Sequence, residues 1–270
     1  MDSFRRGELT FPVLDEGPKH GEAVALLHGF PQDATAWAAV TPTLVAAGLR
    51  TLAPDQRGYA ATARPRGRRA YTLDELSLDI VALLDAAGVE RVHVVGHDWG
   101  GLVAWHLASR HADRVLTATV LSTPHPAAYA WSLRHSRQAV SSSYIGFFQL
   151  PWLPEALLRW RMEDFYVRTG MPREIAQRYA PRFSEPGALT GPLSWYRALP
   201  FNRTRTGRSR VPTTSRWGHS DPALGRAAAV RTSHYVAADY RFLEVEAGHW
   251  LPETHPGLVA AEVLRRMEGE

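Results

Sequence analysis

Val92-His93-Val94-Val95-Gly96-His97-Asp98-Trp99-Gly100-Gly101 is the stretch whose reading decides the fold. A short apolar run reads as a strand from Val92 to Val95, and the glycines after it open a predicted helix from Gly100 to Ser109. Strand, tight turn and helix in that order form a nucleophile elbow. Its glycines let strand and helix pack closely around one strained residue, which projects into the crevice at the carboxyl edge of a parallel sheet. Here that residue is Asp98. The backbone N–H of Trp99, at the start of the helix, points to the same place.

Outward from the elbow, short apolar runs alternate with helical patterns, the mark of parallel strands joined by crossover helices. Strands are predicted over Ala23 to Leu27, Leu49 to Ala53 and Val115 to Leu121. Between the first two, Thr41 caps a short helix with Pro42 in its first turn, ended by Gly48. The clearest helix runs from Thr72 to Ala87, with Leu73, Leu76, Ile80, Leu83 and Leu84 on one face. Thr72 and Glu75 have capping-box spacing there, and Gly88 suits its end. At Thr123-Pro124-His125-Pro126 the pattern changes to helices and loops rich in aromatics and arginine. Alternation resumes with strands over Thr213 to Trp217 and Phe242 to Val245, then a terminal helix from about Pro256 to Met267. The expected architecture is α/β, a mostly parallel central sheet flanked by helices. Residues 1–123 and 207–270 form its core, and 124–206 an inserted helical cap.

Composition narrows the function. Of 270 residues 45% are hydrophobic and 21% charged, which fits a folded globular chain. The absence of cysteine removes disulfides, thiolate metal sites and a cysteine nucleophile together. The net charge of +4 is almost all arginine, Lys19 being the one lysine. Its excess lies in residues 124–206, where 11 arginines face 5 acids. No nucleic-acid recognition motif accompanies it, so no nucleic-acid partner is expected. Arg64 to Arg69 and Arg203 to Arg210 read as solvated loops. No apolar stretch follows Arg5 and Arg6, so no targeting signal is read and cytoplasmic residence is expected. No run reaches the roughly 18 apolar residues of a spanning helix, and no membrane partner is expected.

Aspartate at an elbow carries chemical consequences. A carboxylate displaces a leaving group at saturated carbon to give an alkyl ester, and water then attacks the ester carbonyl; serine would form a stable ether. That second step needs a base and an acid to orient it, in chain order nucleophile, acid, histidine. Asp221, in Trp217-Gly218-His219-Ser220-Asp221-Pro222, and His249, in Ala247-Gly248-His249-Trp250, each follow a late strand in that order. The oxyanion needs preorganised N–H donors. Trp99 supplies one and Phe30, in the loop His28-Gly29-Phe30-Pro31, the other; Pro31 has no N–H to give.

These motifs resemble the α/β-hydrolase superfamily, and within it the branch of epoxide hydrolases and haloalkane dehalogenases. The resemblance covers nearly the whole chain through His28–Pro31, Asp55-Gln56-Arg57-Gly58-Tyr59, the elbow, Trp217–Asp221 and Gly248-His249-Trp250. Where the family usually shows glycine and serine after the second of these, Ala60 and Thr62 stand here. The resemblance to epoxide hydrolases implies two lid tyrosines as proton donors to the epoxide oxygen. Ser143–Pro151 and Ser194–Arg197 look like the two segments, which points to Tyr144 and Tyr196. Many dehalogenases carry asparagine where Phe30 stands, and fluoroacetate dehalogenases resemble Asp-Arg at the elbow where this chain has Asp98-Trp99. The expected activity is therefore hydrolysis of an epoxide to a vicinal diol, with no metal or organic cofactor. A haloalkane dehalogenase using the same Asp98, His249 and Asp221, and a non-catalytic ligand receptor on the same fold, are the alternatives. Trp99, Phe147, Phe148, Trp152, Trp195 and Trp250 are expected around a bulky apolar or aromatic substrate. Monomer and homodimer both remain open.

Overall fold

Strands form where apolar residues run together, because both faces of the sheet are covered by helices. A computed structural model describes residues 1–269 and contains β1 (Ser3–Arg6), β2 (Leu9–Glu16), β3 (Ala23–Leu27), β4 (Arg50–Pro54), β5 (Val92–His97), β6 (Val115–Leu121), β7 (Thr213–Gly218) and β8 (Tyr240–Val245). They lie in the order β1-β2-β4-β3-β5-β6-β7-β8. β1 with β2 and β2 with β4 pair antiparallel, and every other pair is parallel. Every residue of β3, β4 and β5 is buried, which explains the apolar runs they contain, and the buried Arg50 that opens β4 is neutralised by Asp15 at 2.8 Å. β1 and β2 precede the first predicted strand. In β2 buried Phe11 and Val13 alternate with outward Pro12 and Leu14, a half-exposed edge pattern that a search for apolar runs passes over.

The sheet is covered on both sides. The helices Leu73–Ala87 and Trp99–Arg110 bury Ile80, Leu84, Val103 and Leu107 in one cluster. Thr41–Ala46 and Pro256–Glu268 bury Leu44, Val259 and Val263 in a second. Two expected caps are corrected. Thr72 holds the N-cap position of its helix, but its side chain makes no capping bond. Instead Asn202 Oδ1 accepts the Leu73 N–H at 2.8 Å, and Glu75 pairs with Arg6 at 2.9 Å. Thr41 lies inside the first turn of its helix rather than at the cap. Gly88 ends the longer helix as expected, at φ +68° in the left-handed region.

From β3 the chain moves to β4 on one side and then crosses back to lay β5 on the other. A crevice opens outside the carboxyl ends of strands where such a reversal occurs, and the residues after β3 and β5 are drawn to it. Between β6 and β7 the named elements are all helical, from Pro126 to Phe201. Three side chains of this insert reach the carboxyl edge of the sheet. Trp195 donates to the Arg57 carbonyl at 2.7 Å, Tyr166 donates to the Pro31 carbonyl, and Arg182 pairs with Asp33 at 2.7 Å and Asp55. Of the two arginine-rich stretches, Arg66, Arg68, Arg69, Arg203, Arg205, Arg208 and Arg210 are exposed, whereas Arg64 turns inward to the carbonyls of Gly58 and Tyr59. No described helix is long and apolar enough to cross a membrane.

Candidate active site

Asp98 sits at φ +50°, ψ −119°, a conformation that L residues rarely adopt. The close packing around it requires glycine on both sides. A Cβ on Gly96 would lie 2.3 Å from the Gly100 carbonyl oxygen, and one on Gly100 would lie 2.0 Å from that of Leu27. The strained turn drives the carboxyl group out of the sheet edge, where its side chain is 17% exposed to a cavity.

The two carboxylate oxygens of Asp98 have different surroundings. Oδ1 accepts the Phe30 N–H at 2.8 Å, and the Trp99 N–H also stabilises the carboxylate. Oδ2 lies 3.7 Å from His249 Nε2. On the other side of the imidazole, Nδ1 meets Asp221 Oδ2 at 2.8 Å, and Asp221 Oδ1 accepts the N–H groups of Ala223 and Leu224. Burial lifts Asp98 above the usual carboxylate range, opposed by His249 and the two N–H groups. Burial alone would lower His249, but Asp221 and Asp98 together raise it to about 9. Asp221 and Asp98 thus both favour the protonated form of the imidazole that lies between them.

Tyr144 and Tyr196 come from separate helices of the insert, and their rings meet edge-on at 6.0 Å. Tyr196 also packs edge-on against Phe30, Trp99 and Phe148. Burial and the nearby Asp98 charge raise Tyr144, and burial with Tyr144 and Asp98 raises Tyr196, so both phenols stay protonated across the neutral range.

Two cavities meet at Asp98, Tyr144 and Tyr196. The larger, about 680 Å³, runs under the helix Pro126–His135 and is lined by Trp99, Leu102, Ala127 and Trp131, with Arg134 and Arg205 among its polar residues. The smaller, about 180 Å³, holds His249, Phe30, Phe148, Phe165 and Trp250. Of the expected pocket aromatics, Trp99, Phe148 and Trp250 therefore line a cavity, and three do not. Trp195 is fully buried behind Trp99, spent on the bond to Arg57; Phe147 packs beside Phe148 outside both cavities; Trp152 is 73% exposed on the outside of the insert. Consecutive residues of a short helix face different ways, so 147 and 148 cannot both point inward.

A polar chain behind His249 escaped the sequence reading. The His249 carbonyl is met by His97 Nε2 and by the Ser122 hydroxyl, each at 2.8 Å. His97 Nδ1 meets Gln32 Oε1 at 2.8 Å; the same oxygen accepts the Gly29 N–H, and Gln32 Nε2 donates to Glu253. Glu253 also accepts from Tyr179, while its second oxygen, Oε2, has no partner among the described residues. Burial raises its carboxyl to about 7. The signal was local: Gln32 extends the His28–Pro31 loop and Glu253 lies one helical turn past His249, but nothing in sequence says that the two meet.

A family described as alpha/beta hydrolase fold matches residues 22–139. The chain is 35% identical to AB hydrolase superfamily protein YfhM of Bacillus subtilis over 97% of its own length and 96% of the relative's. It is 33% identical to Epoxide hydrolase A of Mycobacterium tuberculosis, over 95% and 94%. The crystal structure of Epoxide Hydrolase A from Mycobacterium thermoresistibile superposes with a TM-score of 0.82 at 26% identity, covering 99% of this chain and 97% of that one. A third of the residues shared along nearly full length, on the same elbow-bearing sheet, places this chain in the α/β-hydrolase superfamily, among the epoxide hydrolase family.

Proposed function

We propose that the protein hydrolyses an epoxide to a vicinal diol through an ester on Asp98. The observation that carries this reading is the convergence of Asp98, Tyr144 and Tyr196 on both cavities, with His249 3.7 Å behind the nucleophile. Asp98 Oδ2 attacks an epoxide carbon, the carbon–oxygen bond breaks, and a phenol of Tyr144 or Tyr196 gives its proton to the departing oxygen. Esterification removes the charge of Asp98. One of the influences favouring the protonated form of His249 goes with it, and the imidazolium gives its proton to the tyrosinate left by ring opening, so His249 is a neutral base when a base is needed. His249, oriented by Asp221, takes a proton from water as that water adds to the ester carbonyl carbon. The oxyanion forms on Oδ1, already accepting the Phe30 N–H, with the Trp99 N–H also stabilising the group. Collapse expels the diol oxygen, which recovers the proton from His249; the proton left on the new carboxyl group passes to the imidazole and restores the resting pair.

In this reading 124–206 is a lid that supplies the acid of the first step, and 1–123 with 207–270 is the core that supplies the rest. The large cavity takes the longer arm of an apolar epoxide, and 680 Å³ lies within the range of roughly 300–1,000 Å³ for small-molecule pockets. The test is intact-protein and peptide mass spectrometry of His249→Ala after exposure to an epoxide panel. An adduct of substrate mass on the Asp98 peptide is expected. An adduct elsewhere, or none, overturns the mechanism, and halide release from haloalkanes without diol formation would favour dehalogenation instead.

A further inference from the structure

The helix Leu153–Arg168, kinked at Arg161 (φ −123°, ψ 17°), is apolar on two sides. Its inner side buries Leu158, Met162 and Tyr166, and Phe165 reaches the smaller cavity. On its outer side Leu153, Leu157 and Trp160, spaced i, i+4 and i+7, form one stripe, and Trp152 lies just ahead of it. Trp152 is 73% and Trp160 86% exposed, with Leu157 at 51%. Two tryptophans left in water beside leucines form the kind of patch that marks an interaction surface rather than chance exposure.

The charges around this stripe select its partner. Arg159 and Arg161 are exposed beside Trp160, and neither has an acidic partner among the described residues. Of the helix's acids, Glu155 is committed to Arg197 and Glu163 to Arg173, leaving only Asp164 uncommitted. A second copy docking through a twofold axis would set this patch against itself and bring the arginines near their own counterparts with too few acids between them. An anionic surface meets both demands: it takes the cations, and its apolar boundary takes the tryptophans and leucines. We propose that the outer face of Leu153–Arg168 docks the protein on an anionic lipid bilayer, with Trp152 and Trp160 at the level of the headgroups and Arg159 and Arg161 against lipid phosphates. No spanning segment is needed, since a helix lying in the interface buries only one face. The docked helix is also a wall of the smaller cavity, which sets the site about one helix diameter, ~10 Å, from a phase in which apolar epoxides concentrate.

The test is sedimentation of the full chain with large vesicles of phosphatidylcholine alone and of phosphatidylcholine with phosphatidylglycerol. Binding at least tenfold tighter to the anionic vesicles is expected, and that preference is lost in 0.5 M salt, where the Debye length falls to roughly 4 Å and surface charge is screened. Trp160→Ser combined with Leu157→Ser should weaken it at least tenfold with an unchanged melting temperature. Arg159→Ala with Arg161→Ala should abolish the preference for the anionic lipid. Absence of binding to anionic vesicles, or binding untouched by both variants, overturns the proposal. So does a dimer in sedimentation equilibrium that Trp160→Ser dissociates, because a second copy would then own the surface.

Discussion

The side chain of Asp98 is used asymmetrically, and the asymmetry has a measurable consequence. Oδ1 is fixed by the Phe30 N–H while Oδ2 faces the cavity near His249, so in the proposed reaction Oδ2 leaves with the diol and water replaces it on the carboxyl group. A single turnover in ¹⁸O-water is expected to place the label on the Asp98 peptide and leave the diol unlabelled; label in the diol would mean direct attack of water on the epoxide. For the phenols, Tyr144→Phe and Tyr196→Phe should each slow alkylation about 10²-fold, at the lower end for loss of a general acid, and the double variant far more. Stopped-flow tryptophan fluorescence separates that step from ester hydrolysis, which should be little changed. Glu253 gives a prediction about stability. Its ordinary value is 4.5 and its folded value about 7. Between those limits the folded chain keeps a proton that the unfolded chain has released, so stability falls as pH rises from 4.5 to 7, by about 3 kcal/mol in total. Glu253→Gln should flatten the dependence of melting temperature on pH over that window. A slope equal to that of the parent would show that the carboxyl is not held protonated by the fold.

At the scale of elements, the elbow works because β5 and the helix Trp99–Arg110 approach more closely than any side chain permits. Gly100→Ala would set a methyl group 2.0 Å from a backbone oxygen of β3, which cannot move without breaking the ladder to β5. A loss of at least ~3 kcal/mol, from overpacking and backbone displacement, is expected in denaturant unfolding. An unchanged midpoint would mean that strand and helix can separate. The elbow was legible in the sequence because glycine spacing is a local constraint, and so were β3, β5, β6, β7 and the Leu73–Ala87 helix, whose apolar patterns are contiguous. The caps were not. Thr72 and Glu75 have the right spacing, yet Asn202, 129 positions away from Leu73, satisfies the helix end, and Arg6 on the edge strand draws Glu75 away. Local propensity loses wherever a distant polar group arrives with better geometry.

Across the whole molecule, the insert and the sheet enclose two unequal cavities that share Asp98, and in the proposed reaction their volumes set which epoxides fit. Ala127 lines only the larger one. Ala127→Trp should therefore cut kcat/KM for epoxides with a bulky arm by at least tenfold while sparing small terminal epoxides, a split visible in competition assays. Equal loss for both would place the bulky arm elsewhere. The order Asp98, Asp221, His249 and the Phe30 loop could be read from the chain, because each lies beside a strand end and a parallel sheet gathers its strand ends along one edge. Side-chain direction in the insert could not. Phe148 reaches the cavity while Phe147 does not, Trp195 is buried in support, and Trp152 faces outward, since helix packing sets those directions. The chain from Glu253 through Gln32 and His97 to the His249 carbonyl belongs to the same class, as it joins residues up to 221 positions apart. Sequence by itself determined the parallel strands from β3 onward, the elbow and the chemical character of its central carboxylate, all carried by short-range pattern. Only tertiary structure decided which aromatics line the cavities and what holds His249 in place, because those depend on surfaces that meet after the insert has folded back over the sheet.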